Sequence, residues 1–314
     1  MNSLIDLQAP AKLNVFLRIV GRRDDGYHLM QSLFVMLDWH DTLHLERRGD
    51  GQLQRHDLAK PLPADDLCLR AARALQAASG CTRGADISIL KRLPAQAGMG
   101  GGSSDAATVL IGLNRLWGLN WSRERLSAIG VKLGADVPFF LGPGSALVEG
   151  IGERLSPIDL RSRLYAVVKP AAGVETRRIF TDPALRRDAD PAILEGFLAD
   201  PAQLDKLLDG PSVRAGAESA ELDIEIVNDL QPVAMRLEPE VGTAIEWLKA
   251  RWGQAQMTGS GSAVFARETA ENAPRLAAAA GGSTPVDFPD LPTGWQGRIC
   301  RSLVRHPLWE GESG

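Results

Sequence analysis

The sequence predicts a globular protein that combines helices and strands in one large or two medium-sized domains. Its 314 residues are more than one small core requires. Hydrophobic residues make up 44% of the chain and charged residues 24%, a balance typical of packed proteins that argues against extensive disorder. Both hydrophobic periodicities occur along the chain, the two-residue repeat of strands and the 3.6-residue repeat of helices.

The first predicted element is a strand over residues 11–20. Apolar and polar positions alternate from Leu13 to Ile19, which predicts one buried face and an opposite face that carries Lys12 and Asn14. Because side chains two residues apart point the same way, these two polar groups are expected roughly 7 Å apart along one face. The run Arg23–Gly26 then predicts a turn.

Further elements are predicted on both sides of a glycine-rich segment. In the first half they are strands over 33–37, 42–45 and 86–91, and helices over 65–79, 106–117 and 122–133. In the second half they are a strand over 164–169, a helix over 239–252, a strand–turn–strand unit over 256–266, a surface loop over 281–294 and a tail over the last ten residues. We place the domain boundary near residue 160, between an N-terminal domain 1–160 and a C-terminal domain 161–314.

Charge and cysteine usage exclude several classes of protein. A formal net charge of −4 argues against sequence-independent nucleic-acid binding, which needs a basic surface. The three cysteines are scattered and show no metal-ligand spacing, which favours free thiols in a reducing compartment. No apolar run approaches the roughly 20 residues of a membrane span, and the first residues lack a signal-peptide pattern. We therefore expect a cytoplasmic protein without a membrane or nucleic-acid partner.

The segment Gly98–Ser104 predicts a phosphate site. Its four glycines permit positive φ and a close approach of the backbone to a ligand. The helix that follows offers unpaired N–H groups and a positive dipole end, and Ser103 and Ser104 add hydroxyls. The segment lacks the third glycine and the acidic residue of a dinucleotide fingerprint, and it lacks the lysine of a P-loop. Asp105 would repel a phosphate unless it faces away or meets the phosphate through a cation.

Three segments, Ala9-Pro-Ala-Lys-Leu-Asn14, Leu93–Ala107 and Thr258-Gly-Ser-Gly-Ser262, resemble the three motifs of the GHMP kinases, a family of small-molecule kinases. The resemblance spans residues 9–266. Further segments resemble the branch whose acceptor carries a cytidine diphosphate group and which serves the non-mevalonate route to isoprenoid precursors: Asp25-Gly-Tyr-His28, Gly134-Ala-Asp-Val-Pro-Phe-Phe140 and Asn228-Asp229.

The resemblance implies a two-domain α+β GHMP-kinase fold with the active site in the cleft between the domains. It implies transfer of the ATP γ-phosphate to the 2-hydroxyl of a methylerythritol moiety, with Mg²⁺. Asp136 would be the general base, assisted by Lys12, and Asn14, Tyr27 and His28 would bind the acceptor. The implied ATP-binding residues are Pro94, Ala95, Gln96, Ala97, Gly98, Met99, Gly100, Gly101, Gly102, Ser103 and Ser104.

Several alternatives stay open at this point. Asp136 is also a good helix N-cap before Pro138, and Gly259–Gly261 either closes the cleft or forms a plain turn. The whole chain is alternatively another GHMP kinase, such as a homoserine kinase, or a nucleotide-binding regulator without catalysis. Two departures from the family pattern are Ala95-Gln-Ala97, where the family often carries more glycine, and Gln231, where a glutamate is expected. The arginines at 177, 178, 186 and 187 predict a solvated helix face.

Overall fold

The computed structural model describes residues 1–191, 194–210 and 226–309. The strands in this part of the chain are β1 (Ser3–Arg22), β2 (His28–Arg48), β3 (Leu53–Asp57), β4 (Gly84–Leu90), β5 (Ala146–Gly150), β6 (Arg154–Pro157), β7 (Leu164–Lys169), β8 (Gln256–Met257), β9 (Val264–Arg267), β10 (Val286–Asp287) and β11 (Gln296–Leu303). The helices are α1 (Leu67–Ser79), α2 (Gly101–Leu116), α3 (Arg123–Leu133), α4 (Val137–Leu141), α5 (Thr176–Thr181), α6 (Glu195–Ala199), α7 (Pro201–Asp209), α8 (Gln231–Leu237), α9 (Pro239–Trp252) and α10 (Ala273–Ala280).

The strands of both halves join in one hydrogen-bonded network. Its main path runs β3-β4-β2-β11-β7-β9-β8, and β1 pairs antiparallel with β2 over nearly its whole length. β11 connects the halves because it pairs with β2 through Ser302 and Leu303 and with β7 through its other end. This mixture of helices with a mostly antiparallel sheet confirms the predicted α+β class. The division at residue 160 stays a prediction.

Local signals in the sequence explain where the main helices begin and end. The carboxylate of Asp66 accepts a hydrogen bond from Leu69 N at 3.1 Å, and Gly80 ends α1 with a φ of 66°. The hydroxyl of Ser122 caps α3 at the backbone N–H of Arg125, at the residue where the predicted helix begins. These caps hold both helices over the first sheet half, where the core lies between the helices and the strands.

The prediction of a single buried face on β1 was wrong. Residues 9–18 are all buried, including Lys12, Asn14 and Arg18. The pairing of β1 with β2 shifts between Asn14 and Phe16, so a bulge interrupts the simple alternation. The strand is covered on both sides, since α2 packs against it and Leu13 and Leu17 belong to two different core clusters. Its polar side chains therefore lie inside the protein.

The prediction of a tail over the last ten residues was wrong for the part that the structure describes. Pro307–Trp309 forms a 3-10 turn, and Leu308 and Trp309 are buried in the core beneath the first helices. The guanidinium of Arg123 lies 4.2 Å from the centre of the Trp309 ring. Residues 310–314 of that prediction lie outside the described residues. Over the three described ranges, none of the helices combines the length and the apolar character that a membrane crossing demands.

Candidate active site

A large cavity of about 1360 Å³ lies where the two halves meet. Side chains from both halves form its walls. The first half contributes Lys12, Asn14, Tyr27 and His28 from β1, β2 and the turn between them, together with the glycine-rich loop and Asp136; the second half contributes residues of α5 and Gly259–Gly261. The structure thus brings the sequence-predicted residues of distant segments to one cavity.

Lys12 and Asp136 form an ion pair at the floor of this cavity. Lys12 Nζ lies 3.6 Å from Asp136 Oδ2, and the Lys12 side chain is 5% exposed while that of Asp136 is 31% exposed. Lys12 Nζ also donates a hydrogen bond to Asn14 Oδ1 and lies 4.5 Å from the centre of the Phe34 ring. Burial lowers the pKa of the Lys12 ammonium, although the charge of Asp136 opposes this shift.

Asp136 occupies the N-cap position of α4, but its carboxylate makes no capping hydrogen bond. Pro138 in the first turn of that helix has no N–H to satisfy, which reduces the need for a cap. The carboxylate is therefore available to Lys12 and to the cavity. An acidic group held beside a buried ammonium at the wall of a cavity is the arrangement expected for proton transfer from a hydroxyl group.

The glycine-rich loop wraps around Lys12. The backbone N–H of Lys12 donates to Met99 O at 2.9 Å, and Gly98 and Gly100 have φ values of 70° and 71°. A Cβ on Gly100 would lie 2.9 Å from the ring of Phe140, so only glycine fits there. α2 begins at Gly101, and its first N–H groups are free of helical partners.

A second cavity of about 400 Å³ lies on the other side of this loop. The residues from Pro94 to Ser103 line it, and Gln96, Gly98, Gly100 and Ser103 line the large cavity as well. Ser104 lines neither cavity, because its hydroxyl is buried on the inner side of α2. The loop and the start of the helix therefore offer the backbone N–H groups that an anion requires, with space on both sides.

The segment Gly259–Gly261 packs directly on the glycine-rich loop. A Cβ on Gly98 would lie 2.5 Å from Thr258 O, and a Cβ on Gly259 would lie 2.9 Å from Gly98 O. Asn228 Nδ2 donates to both Met257 O and Gly259 O at 2.8 Å. This segment is therefore a tight turn that also closes the cavity against the loop. Gln231 supports it as well, because its Oε1 accepts a hydrogen bond from Met257 N, a role that needs only an oxygen acceptor.

Tyr27 and His28 form the outer wall of the large cavity. Tyr27 is 60% exposed, and the His28 ring lies 5.1 Å from the ring of Phe180 on α5. His28 Nε2 accepts a hydrogen bond from Arg187 Nε at 3.0 Å. Burial lowers the pKa of His28, and the charges of Arg187 and Arg22 lower it further. The imidazole is therefore neutral near pH 7.

The prediction of a solvated helix face is confirmed for Arg177 and Arg178, which are exposed on α5, and was wrong for Arg186 and Arg187, which lie beyond that helix. Arg177 and Arg187 line the large cavity. Arg187 lies beyond the end of α5 and donates to the backbone oxygens of Phe180 and Asp182. Arg186 is exposed, whereas Arg187 is half-buried. No local pattern identifies Arg187 as a cavity residue, since 159 residues separate it from its partner His28.

Asp105 is paired with a lysine that the sequence analysis did not identify. Its Oδ2 lies 2.6 Å from Lys91 Nζ, and Lys91 also pairs with the fully buried Asp41. Asp41 Oδ1 in turn accepts hydrogen bonds from the backbone N–H groups of Arg92 and Leu93. Burial raises the pKa of Asp105 to about 8, and Asp41 adds to this while Lys91 opposes it. The cluster removes most of the expected repulsion between Asp105 and a phosphate.

Comparison with known proteins identifies the family to which this chain belongs. Residues 66–144 match the model of the GHMP kinases N terminal domain, and residues 207–283 match that of the GHMP kinases C terminal. The 4-diphosphocytidyl-2-C-methyl-D-erythritol kinase of Variovorax paradoxus (strain S110) is 54% identical over 98% of this chain and 99% of its own. The protein of the same name from Methylibium petroleiphilum is 52% identical over 99% of both chains.

Solved structures agree with these relatives. A crystal structure of a 4-(cytidine 5'-diphospho)-2C-methyl-D-erythritol kinase superposes with a TM-score of 0.68 at 32% identity, over 93% of this chain and 98% of that one. A homoserine kinase from Cytophaga hutchinsonii, 18% identical over 98% of this chain and 96% of its own, shares the fold with a TM-score of 0.64. The predicted ATP-dependent kinase of small molecules is thereby confirmed. The chain belongs to the GHMP kinase family, among its 4-diphosphocytidyl-2-C-methyl-D-erythritol kinases.

Proposed function

We propose that the chain transfers the γ-phosphate of ATP to the 2-hydroxyl of 4-diphosphocytidyl-2-C-methyl-D-erythritol. The names of relatives that match it over their full length support this acceptor. The observation that carries the chemistry is the convergence of a buried lysine, a carboxylate and a phosphate loop: Lys12 contacts Asp136 at 3.6 Å and is hydrogen-bonded through its backbone to Met99 of the loop. The product would enter the non-mevalonate route to isoprenoid precursors.

In the proposed step the acceptor oxygen attacks the γ-phosphorus while the bond to the ADP oxygen breaks. Asp136 accepts the proton of the attacking hydroxyl, and the Lys12 ammonium stabilises the negative charge on the phosphoryl group. Asn14 holds Lys12 in place through its Oδ1, while its own Nδ2 donates to Ser32 Oγ at 3.0 Å. This network limits the motion of the Lys12 side chain before the substrates bind.

The ATP phosphates would bind at the backbone N–H groups from Gly98 to Ser103 and at the start of α2. Mg²⁺ neutralises phosphate charge in such reactions when it is bound. Among the described residues no group of three or more His, Cys, Asp or Glu side chains is placed to hold a metal ion. The proposal is therefore that the phosphates and water supply most of its ligands, with the Ser103 hydroxyl as an oxygen donor of the chain.

The acceptor would lie in the large cavity with its cytosine against the Tyr27 ring. An aromatic face exposed to a cavity is a good stacking surface for a nucleobase. A neutral His28 has one donor and one acceptor nitrogen, and Arg187 occupies the acceptor. The remaining N–H of His28 then donates to the base or to the diphosphate. Asn14, in contact with Lys12, is at the end of the cavity where the acceptor hydroxyl would lie.

We also propose that the cleft lies between a domain of residues 1–160 and a domain of residues 161–314. The proposed enzyme acts in the cytoplasm and has no nucleic-acid partner. The net charge of −4 supports the second statement. The free thiols of Cys68 and Cys300, both buried, suit a reducing compartment.

The test is ADP release by the purified protein with ATP, Mg²⁺ and the diphosphocytidyl acceptor. We expect one ADP per acceptor consumed, competition by CMP or CDP, and loss of turnover in Asp136→Asn with ATP binding retained. A homoserine kinase would turn over homoserine and ignore the cytidine nucleotides. A regulator would bind ATP equally in both proteins and release no ADP in either. Absence of ADP above background from the wild type contradicts the proposal.

A further inference from the structure

Gln96 departs from the glycine-rich pattern at a backbone position that suits glycine. Its φ is 51°, in the left-handed region that costs a residue with a side chain about 1–2 kcal/mol. In the three described ranges, the other non-glycine residues at positive φ are Asp6 and Asn120, which are types that tolerate this region better. A glycine at 96 would relieve this strain but would remove the contacts of the glutamine side chain.

Those contacts are with Gly173, in the segment that connects β7 to α5. A Cβ on Gly173 would lie 2.4 Å from Gln96 Oε1 and 3.3 Å from Gln96 Cβ. Gly173 is not among the glycines with positive φ, so its backbone conformation does not require glycine. A larger residue at 173 would meet the end of the Gln96 side chain, which would have to move to make room for it.

Ser262 forms hydrogen bonds with both the glycine-rich loop and the segment that connects β7 to α5. Its hydroxyl donates to Ala172 O at 2.6 Å, and its backbone N–H donates to Gln96 O at 3.2 Å. The segment that contains Ala172 and Gly173 is thus joined to the glycine-rich loop by Ser262 and by the Gln96 side chain. The helix α5 follows directly and carries Phe180, which packs against His28 in the wall of the large cavity.

Gln96 also lies at the border of the two cavities, since it lines both. One cavity is the proposed acceptor site and the other lies on the far side of the phosphate loop. Gln96 belongs to the loop in the first half and contacts Gly173, just before α5, in the second half. A movement of the loop would therefore be transmitted through this contact to the cavity wall that α5 forms.

We propose that Gln96 is a positioning residue that holds residues 170–175, and with them α5, at a fixed distance from the glycine-rich loop. This distance sets the width of the cleft in which the acceptor binds. The inference rests on the proposed function, because it assigns the acceptor to the cavity beside α5. A side chain at position 173 would displace the Gln96 side chain, so we expect it to disturb the cleft only when Gln96 is present.

The test is a double-mutant cycle of Gln96→Gly and Gly173→Ala. We expect Gly173→Ala to raise the acceptor KM about 5-fold when Gln96 is present, within the range seen for residues in contact, and at most about 2-fold in the Gln96→Gly background. Gln96→Gly alone should raise the acceptor KM more than the ATP KM. The melting temperature of Gln96→Gly should not fall, because the substitution relieves backbone strain.

The dissociation constant for CDP, measured by calorimetry on the same four proteins, gives a readout that needs no turnover. It should follow the same non-additive pattern as the acceptor KM. If the wild-type protein binds CDP but releases no ADP, the proposed function is contradicted. The positioning role of Gln96 can then still be judged from the CDP dissociation constants of the four proteins. Equal effects of Gly173→Ala in the two backgrounds, or no CDP binding by the wild type, overturn the positioning role.

Discussion

Replacing Lys12 by methionine removes one buried charge and keeps nearly the same volume. In the wild type its Nζ lies 3.6 Å from Asp136 Oδ2, and the Lys12 side chain is 5% exposed while that of Asp136 is 31% exposed. Two unit charges about 4 Å apart interact by about 4 kcal/mol at an effective dielectric constant near 20. A phosphoryl group at a similar distance would lose this stabilisation, less what solvent screens. We expect kcat to fall about 100- to 1000-fold, as for the loss of other charge-stabilising donors.

The assay is coupled ADP release at saturating ATP and acceptor, with circular dichroism to show that the variant is folded. Lys12→Arg is the matched control, since it keeps the charge and should retain more activity. Because burial lowers the pKa of Lys12 below its ordinary value of 10.5, the wild-type rate should fall at alkaline pH as the ammonium deprotonates. Lys12→Met should lack this alkaline decline. A kcat within ten-fold of wild type, with the alkaline decline unchanged, would show that the Lys12 charge does not stabilise the phosphoryl group.

Two further predictions concern the loop. Gly100→Ala should raise the ATP KM at least about ten-fold, because its Cβ would meet Phe140 at 2.9 Å and the positive φ adds about 1–2 kcal/mol. Gly102→Ala is the control, since its Cβ would have its nearest contact at 3.5 Å. Equal rises of the ATP KM in the two variants would contradict this steric explanation. Asp105 has a pKa raised from 3.8 to about 8, so the folded protein holds a proton that the unfolded chain releases, and stability should fall as pH rises from about 4 to 8. Melting curves of Asp105→Asn should lack this fall; an unchanged pH dependence contradicts the assignment.

Local signals in the sequence predict the four longest helices and six of the eleven strands in the described residues. The cap of α3 at Ser122 and the strand at Leu164–Lys169 lie where periodicity and capping residues place them. The cap at Asp66 was not predicted, because this residue was assigned to the helix itself. The alternation around Lys12 also predicts that it points the same way as Asn14, and the two are hydrogen-bonded. Each of these features depends on residues within one helical turn or one strand, so the local sequence is enough to predict it.

What the sequence analysis missed depends on contacts between distant segments. The alternation of β1 does not show that a second layer covers its polar face, and nothing near Asp105 identifies Lys91 as its partner 14 residues away. Arg187 and Trp309 likewise have their environments set by residues far along the chain. Charged and aromatic residues at such positions resemble surface residues until the tertiary fold is known.

The most direct test of the central claim is a crystal structure with the diphosphocytidyl acceptor and a non-hydrolysable ATP analogue. We expect the acceptor hydroxyl to lie between the Asp136 carboxylate and the γ-phosphate, with Lys12 Nζ within about 4 Å of both, close enough for strong charge coupling. The phosphates should contact the backbone from Gly98 to Ser103. A γ-phosphate bound away from Lys12, or an acceptor hydroxyl that does not reach Asp136, would contradict it.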